Sequence, residues 1–378
     1  MRRHGTKGRK VISAAKPTVA RMKAVAKTSA GKGIEVVDEP YPELRSGYVI
    51  VKIRAAGICG SDLHTYERTS NPQSQTSRLR PLGHEGSGEI VEIGRGVEDW
   101  QKGDRVTFNP FTAKDNRFCG KCEHCISGNP LGCTQRRITS LGGVMTEYAP
   151  IRADALYRLP EHISYEAGAL CEPFAVALGA VNDVAKFSPG QSVAILGPGP
   201  IGLCTLMAAK LASPSMSVVT GLSVDRSPRL EMAKKLGADV TIDVESEDLL
   251  AKVKTITGGV GVDAVFEAVG TPLLQQGLGL LKFQGRYVGI GHPSSSDGLE
   301  SRSIPLSFND YLNMQYRRLT AVGHWIYNTS TWVNMMKILE AKKVDLTPLA
   351  THRLPLADAE KGFQLAFRKE CIKVLLIP

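Results

Sequence analysis

The sequence predicts an α/β fold in two parts, a mostly β part followed by a doubly wound parallel sheet with helices on both faces. Three observations predict it. The runs GIEVVDEP, YVIVKIRAAG and GSGEIVEIGRGVEDWQKGDRVTF are Gly-punctuated and rich in β-branched residues, the pattern of strands joined by turns. After about residue 160, strand-like and helix-like segments alternate. The strands of that second region are continuously apolar rather than alternating, as strands buried on both faces are.

Taken in order, residues 1–21 form a basic leader with seven Lys/Arg and no Asp/Glu, expected to be disordered. It reads as an arm, a stretch ahead of a true start at Met22, or an organellar transit segment; it has no apolar secretory core. Residues 22–175 hold the β region, and 176–322 the alternating region. Within this stretch ISYEAGALCEPFAVALGAVNDVA reads as helix, and SVAILGPGPIGLCTLMAAKLA as strand, glycine turn and helix. SVVTGLSV reads as a second strand, PRLEMAKKLGA as its helix, and VDAVFEAVG and GRYVGIG as further strands. From 323 to 378 the chain leaves the alternation. WVNMMKILEAKKV reads as an amphipathic helix and KVLLIP as a short strand, a segment expected to return to the first domain.

Charge and composition exclude several functions. The 378 residues carry a formal charge of +10, but without the seven leader cations 40 basic residues face 37 acidic ones, a net of +3. That balance argues against a nucleic-acid surface. No apolar run approaches the roughly 18–20 residues that span a bilayer. Eight cysteines, four clustered and four scattered, without an export signal, fit a reducing compartment, the cytoplasm, with thiols or metal rather than disulfides.

Three constellations carry chemistry. The first is Gly197-Pro198-Gly199-Pro200-Ile201-Gly202, which follows an apolar strand and opens a helix, the arrangement that seats a pyrophosphate on free backbone N–H groups. An acid that would hold the ribose hydroxyls is absent where SVVT ends at Gly221; Asp225 comes later, with Ser223, Arg226 and Arg229 offered to a 2′-phosphate. NAD and NADP both stay open. The second is FCGKCEHCISGNPLGC, where Cys119, Cys122, Cys125 and Cys133 can close a tetrahedral thiolate shell, a structural zinc site with no seat for substrate. An iron–sulfur cluster is the rival, and a disulfide pair the plain alternative. The third is scattered: GICGSDLHTYE supplies Cys59, Ser61, Asp62 and His64, PLGHEGSG supplies His84 and Glu85, and GALCEPF supplies Cys171 and Glu172. Together they offer the three protein ligands and open position of a catalytic zinc.

These motifs, CGSDLH, GHEGSGEIVEIG, the four-cysteine lobe, GALCEP and GPGPIG, appear in one order across about residues 22–378. In them the chain resembles a zinc-dependent medium-chain dehydrogenase of the sorbitol, threonine and polyol branch. The resemblance implies a GroES-like catalytic domain, a Rossmann cofactor domain and a start near Met22. It implies a catalytic zinc on Cys59, His84 and a carboxylate, Glu85 or Glu172, with Cys171 as the cysteine alternative. It implies a proton relay through Ser61 and His64, with Asp62 orienting the loop. Ile326-Tyr327 stands where sorbitol dehydrogenases present an Arg-Tyr pair; Tyr327 remains a substrate contact, and sorbitol itself is disfavoured. The expected reaction is hydride transfer between a secondary alcohol and NAD(P), in a homodimer or homotetramer. The alternatives are an alcohol dehydrogenase proper, a zinc-free quinone reductase, and a non-catalytic nucleotide-binding relative, which metal content would separate.

Overall fold

In a computed structural model, the described residues are 21–67, 81–112, 118–127, 130–137, 143–270, 273–292 and 306–378; the leader through residue 20 lies outside them. The β region opens with β1 (Arg21–Ala26), β2 (Glu35–Pro40) and β3 (Tyr48–Gly57). There follow α1 (Gly60–Glu67), β4 (Glu85–Ile93), β5 (Arg105–Phe108), α2 (Glu123–Ile126), β6 (Tyr148–Arg152) and β7 (Leu156–Arg158). Helices α3 (Tyr165–Ala169) and α4 (Cys171–Gly179) lead to β8 (Ser192–Leu196), α5 (Pro200–Leu211) and β9 (Met216–Gly221). Next come α6 (Glu231–Lys235), β10 (Val240–Asp243), α7 (Leu249–Ile256), β11 (Val262–Glu267), α8 (Leu274–Leu280) and β12 (Leu281–Gly289). The chain continues through α9 (Phe308–Arg317), β13 (Thr320–Gly323), α10 (Thr329–Glu340), β14 (Ala350–Pro355), α11 (Ala359–Phe367) and β15 (Lys373–Ile377).

Two larger sheets organise these elements. Strands β10-β9-β8-β11-β12-β13 make a six-stranded, wholly parallel sheet. Its order turns back between β8 and β11, the switch point at which doubly wound sheets open a crevice. Strands β14-β15-β3-β4-β5-β7 make a seven-stranded sheet with β6, which also pairs β3. Two of those strands, β14 and β15, come from residue 350 onward, and β15 lies beside β3. In this sheet Leu375 faces Gly57 and Gly57 faces Glu85, which lays β15, β3 and β4 side by side at the future site.

Local departures from the expected elements have physical causes. The helical stretch around 163–185 is two helices and a wider turn. Ser164 caps α3 by accepting the Ala167 N–H, and α4 restarts at Cys171 so that Pro173 sits in a first turn, where its missing N–H costs nothing. Strand β9 stops at Gly221 rather than running through LSV. Asp225 accepts the Leu222 N–H while its own N–H returns to the Leu222 carbonyl, which closes a turn. Helix α10 packs on α4, and its Trp332 is 0% exposed and stacks on Tyr157 at 5.1 Å. Among the described residues no helix is long and apolar enough to cross a membrane.

Candidate active site

Cys59 stands at the mouth of α1, its carbonyl accepting the Leu63 N–H. Asp62, buried on that helix, reaches back to the Cys59 N–H at 2.9 Å and across to the Gly83 N–H at 3.3 Å. One carboxylate therefore fixes both Cys59 and the residue before His84. His84 and Glu85 lead into β4. The ligand atoms of Cys59, His84 and Glu85 all lie within 4.8 Å of one another. Burial pulls the His84 imidazole down, but the adjoining Cys59 sulfur outweighs it and, with Asp62 and Glu172, holds the ring well above its usual range.

Glu172 lies outside that trio, on α4. Its carboxylate is pushed up to about 7, first by burial and against the pull of His84. The Tyr327 hydroxyl donates to it at 3.1 Å, and that phenol is itself raised, by burial and then by the charge of Glu172. Tyr327 is buried, edge-on to Phe111 and Trp332, so the structure shows it gripping Glu172. Cys171 is turned away: its thiol is fully buried, donates to the Ala167 carbonyl at 3.7 Å, and is pushed up to about 12 by burial. Ser61 is exposed and His64 half-buried, three residues apart on one side of α1.

Two residues of this neighbourhood have no signal in the motifs. Lys373 begins β15 and is buried with its Nζ 2.7 Å from both oxygens of Glu85. Burial pulls this ammonium down, and Glu85 more than reverses it. Cys204, buried on α5, is pushed up to about 12 by burial and lies within the fields of Lys373, Glu85 and Glu172. The helix that follows the glycine turn packs on α4, which carries Glu172. A lysine heading an otherwise apolar strand is the one cue that could have found Lys373.

The glycine turn has the required shape. Gly197 takes φ +98°, and a Cβ on Gly202 would overlap the Gly197 carbonyl, so both positions need glycine. Gly199 precedes α5, with Pro200 at its first position and Ile201 next. At the end of β9, a Cβ on Gly221 would meet Pro198 Cγ at 2.8 Å, which leaves no room for an acid. The groups offered to a 2′-phosphate fare differently. Ser223 donates its N–H to Glu245 and its hydroxyl to Asp243. The Arg226 side chain is 62% exposed but pairs with Asp243 at 2.5 Å. Arg229 turns inward, bonding Asp225 at 3.1 Å and the Cys371 carbonyl at 2.9 Å. Asp225 is buried in that pair, so both side chains are engaged with each other inside the protein.

In the cysteine lobe the four sulfurs also lie within 4.8 Å of one another. Cys119 and Cys125 Sγ are 3.9 Å apart, far beyond a disulfide bond and near the about 3.8 Å edge of a tetrahedron with 2.3 Å zinc–sulfur bonds. The Cys122 and Cys119 N–H groups donate to the sulfurs of Cys119 and Cys133. Such a shell suits one ion better than a multi-iron cluster, which spreads its thiolates farther.

Both large parts match known families: "Alcohol dehydrogenase GroES-like domain" over residues 45–161 and "Zinc-binding dehydrogenase" over 200–341. The L-threonine 3-dehydrogenase of Bacillus velezensis is 33% identical over 95% of this chain and 99% of its own. The sorbitol dehydrogenase of Halalkalibacterium halodurans is 34% identical over 94% and 99%. The chain belongs to the zinc-dependent medium-chain dehydrogenases. Among solved structures, a zinc-binding dehydrogenase of Sinorhizobium meliloti 1021 bound to NADP superposes with a TM-score of 0.81, at 28% identity, over 95% of this chain and all of that one. The dehydrogenase is thus an oxidoreductase with a GroES-like part and a Rossmann-type parallel sheet. Its thiol, imidazole and carboxylate set fits zinc, a borderline-soft ion.

Proposed function

We propose that this dehydrogenase interconverts a secondary alcohol, of polyol, sugar or threonine type, with its ketone, using NAD or NADP. The observation that carries the reading is the convergence of Cys59, His84 and Glu85 within 4.8 Å, in a chain whose parallel sheet carries a dinucleotide-type glycine turn ahead of α5. The threonine and sorbitol dehydrogenases that it resembles supply the substrate class.

Cys59 and His84 hold the catalytic zinc, with Glu85 and Glu172 as the carboxylates at its edge, and Cys171 outside. Zinc, when bound, supplies Lewis acidity at the substrate oxygen, and the nicotinamide takes the hydride. Ser61 receives the hydroxyl proton and passes it by way of the ribose to His64 and solvent; a water held by Glu85 or Glu172 is the second exit. Gly197, Gly199, Pro200, Ile201 and Gly202 cradle the pyrophosphate. Ser223 and the exposed Arg226 face the ribose, and the acid-free end of β9 leaves NADP acceptable. The lobe of Cys119, Cys122, Cys125 and Cys133 holds a second, structural zinc. The two sheets correspond to catalytic (22–175 with 323–378) and cofactor (176–322) domains.

The exposed edge of β13, beside α9 with its exposed Phe308, Tyr311 and Tyr316, supports pairing of two copies into a homodimer or homotetramer. Eight cysteines without a disulfide support the cytoplasm. The deciding experiment is Cys59→Ser. It should abolish turnover, keep the fold and lower metal content from two ions to one; a variant with normal turnover refutes the assignment.

A further inference from the structure

Glu85 and Lys373 form the most deeply buried ion pair among the described residues, with side chains 0% and 2% exposed. The Lys373 Nζ lies 2.7 Å from each carboxylate oxygen and 3.0 Å from the Ile58 carbonyl. An ammonium has three protons, so none is left over. Three strands build this slot. Gly57 of β3 sits between Glu85 of β4 and Leu375 of β15, and a Cβ on Gly57 would overlap the Glu85 carboxylate. A buried ion pair is commonly no more stabilising than apolar residues of the same volume. Stability alone therefore does not account for an ammonium and a carboxylate placed here.

What distinguishes the place is that Glu85 shares its cluster with Cys59 and His84. A carboxylate there, with both oxygens free, has one strong attractor, the ion. We propose that Lys373 is a positioning residue for the metal centre: it engages both oxygens of Glu85 and keeps that carboxylate as a neighbouring charge, so that the coordination position stays open to the substrate oxygen. The inference rests on the reading of Cys59 and His84 as metal ligands. Removing the ammonium frees Glu85 to become a ligand and compete with substrate. Neutralising Glu85 at the same time removes the competitor.

The test replaces zinc by cobalt(II), whose visible spectrum reports ligand number, in the whole enzyme and in Lys373→Met, Lys373→Arg, Glu85→Gln and the Glu85→Gln/Lys373→Met double variant. Lys373→Met should lose absorption intensity, as a cobalt ion gaining a ligand does, and raise KM for the alcohol by about tenfold. Lys373→Arg, which offers a fork to both oxygens, should keep the parent spectrum. The double variant should return to the spectrum of Glu85→Gln alone, because the two changes act through one contact. A Lys373→Met enzyme with parent spectrum and KM overturns the proposal, and so does a double variant altered beyond Glu85→Gln. Should Lys373→Met fail to fold, that last comparison decides, since the double variant leaves no buried charge unpaired. Failure of the ligand reading looks different: Cys59→Ser would then hold as much metal as the parent, whatever is done at Lys373.

Discussion

Replacing Arg229 by Met separates two roles that this arginine could have. Its side chain is 11% exposed and its partner Asp225 5%, and the guanidinium also holds the Cys371 carbonyl, 142 residues away on the approach to β15. Removing one member of a buried pair costs about 3–5 kcal/mol. Asp225 keeps the Leu222 N–H, so the lower figure of about 3 kcal/mol applies. For 378 residues, an unfolding entropy of about 2.1 cal/mol/K per residue makes about 0.8 kcal/mol/K in all, and the melting midpoint should fall by about 4 °C. Circular dichroism melts measure it, and Asp225→Asn in the same chain should regain part of the loss, because an amide is cheaper to bury alone than a charge. The ratio of kcat/KM for NADP over NAD should move by less than about twofold. An unchanged midpoint, together with about a tenfold selective loss of NADP, would place Arg229 on the phosphate and refute the reasoning.

Gly221→Asp should weaken binding of both dinucleotides instead of converting the enzyme to NAD, because the new Cβ would press on Pro198 of the glycine turn; titration of NADH and NADPH fluorescence checks this. Cys122→Ser should release one of the two metal ions and lower thermal stability, with kcat per remaining folded molecule little changed; metal analysis and melts read the outcome. Asp263 accepts the Ser192 N–H and hydroxyl and pairs with Lys282; burial raises its carboxyl, and these partners bring it net below the usual range. A depressed carboxyl stabilises above its unfolded value of about 3.9 and loses that contribution as pH falls through the lower folded value. Asp263→Asn should therefore melt below the parent at pH 7, with the gap closing under about pH 4; a gap that persists there contradicts the sign.

The motif residues were legible because their chemistry is dense and local. Gly197 to Gly202 are contiguous, and Cys119 to Cys133 fall within one loop, so spacing alone says what they can form. Cys59 and His84 are separate in sequence, but each sits in a short polar motif. For Lys373 the only cue was a lysine heading the otherwise apolar KVLLIP, and its partner Glu85 shows only once β15 is laid beside β3. Arg229 and Arg226 look alike beside the glycine turn; the turn at Leu222–Asp225 sends the first inward and leaves the second out. The bond of Tyr327 to Glu172 was not legible, because it needed α4 and the segment before α10 in place.

The late position of β15 in the chain bears on how the enzyme is assembled in time. Lys373 and Glu85 are 288 residues apart, and between them lies the whole parallel sheet. During synthesis the parallel sheet has its strands in hand before β15 emerges, whereas the β region waits with a gap beside β3. Closing so distant a pairing is slow, and meanwhile Cys59 and His84 lack their finished frame. Metal loading at the catalytic centre should thus be a late event, while the cysteine lobe, complete within its own loop, can take its ion early.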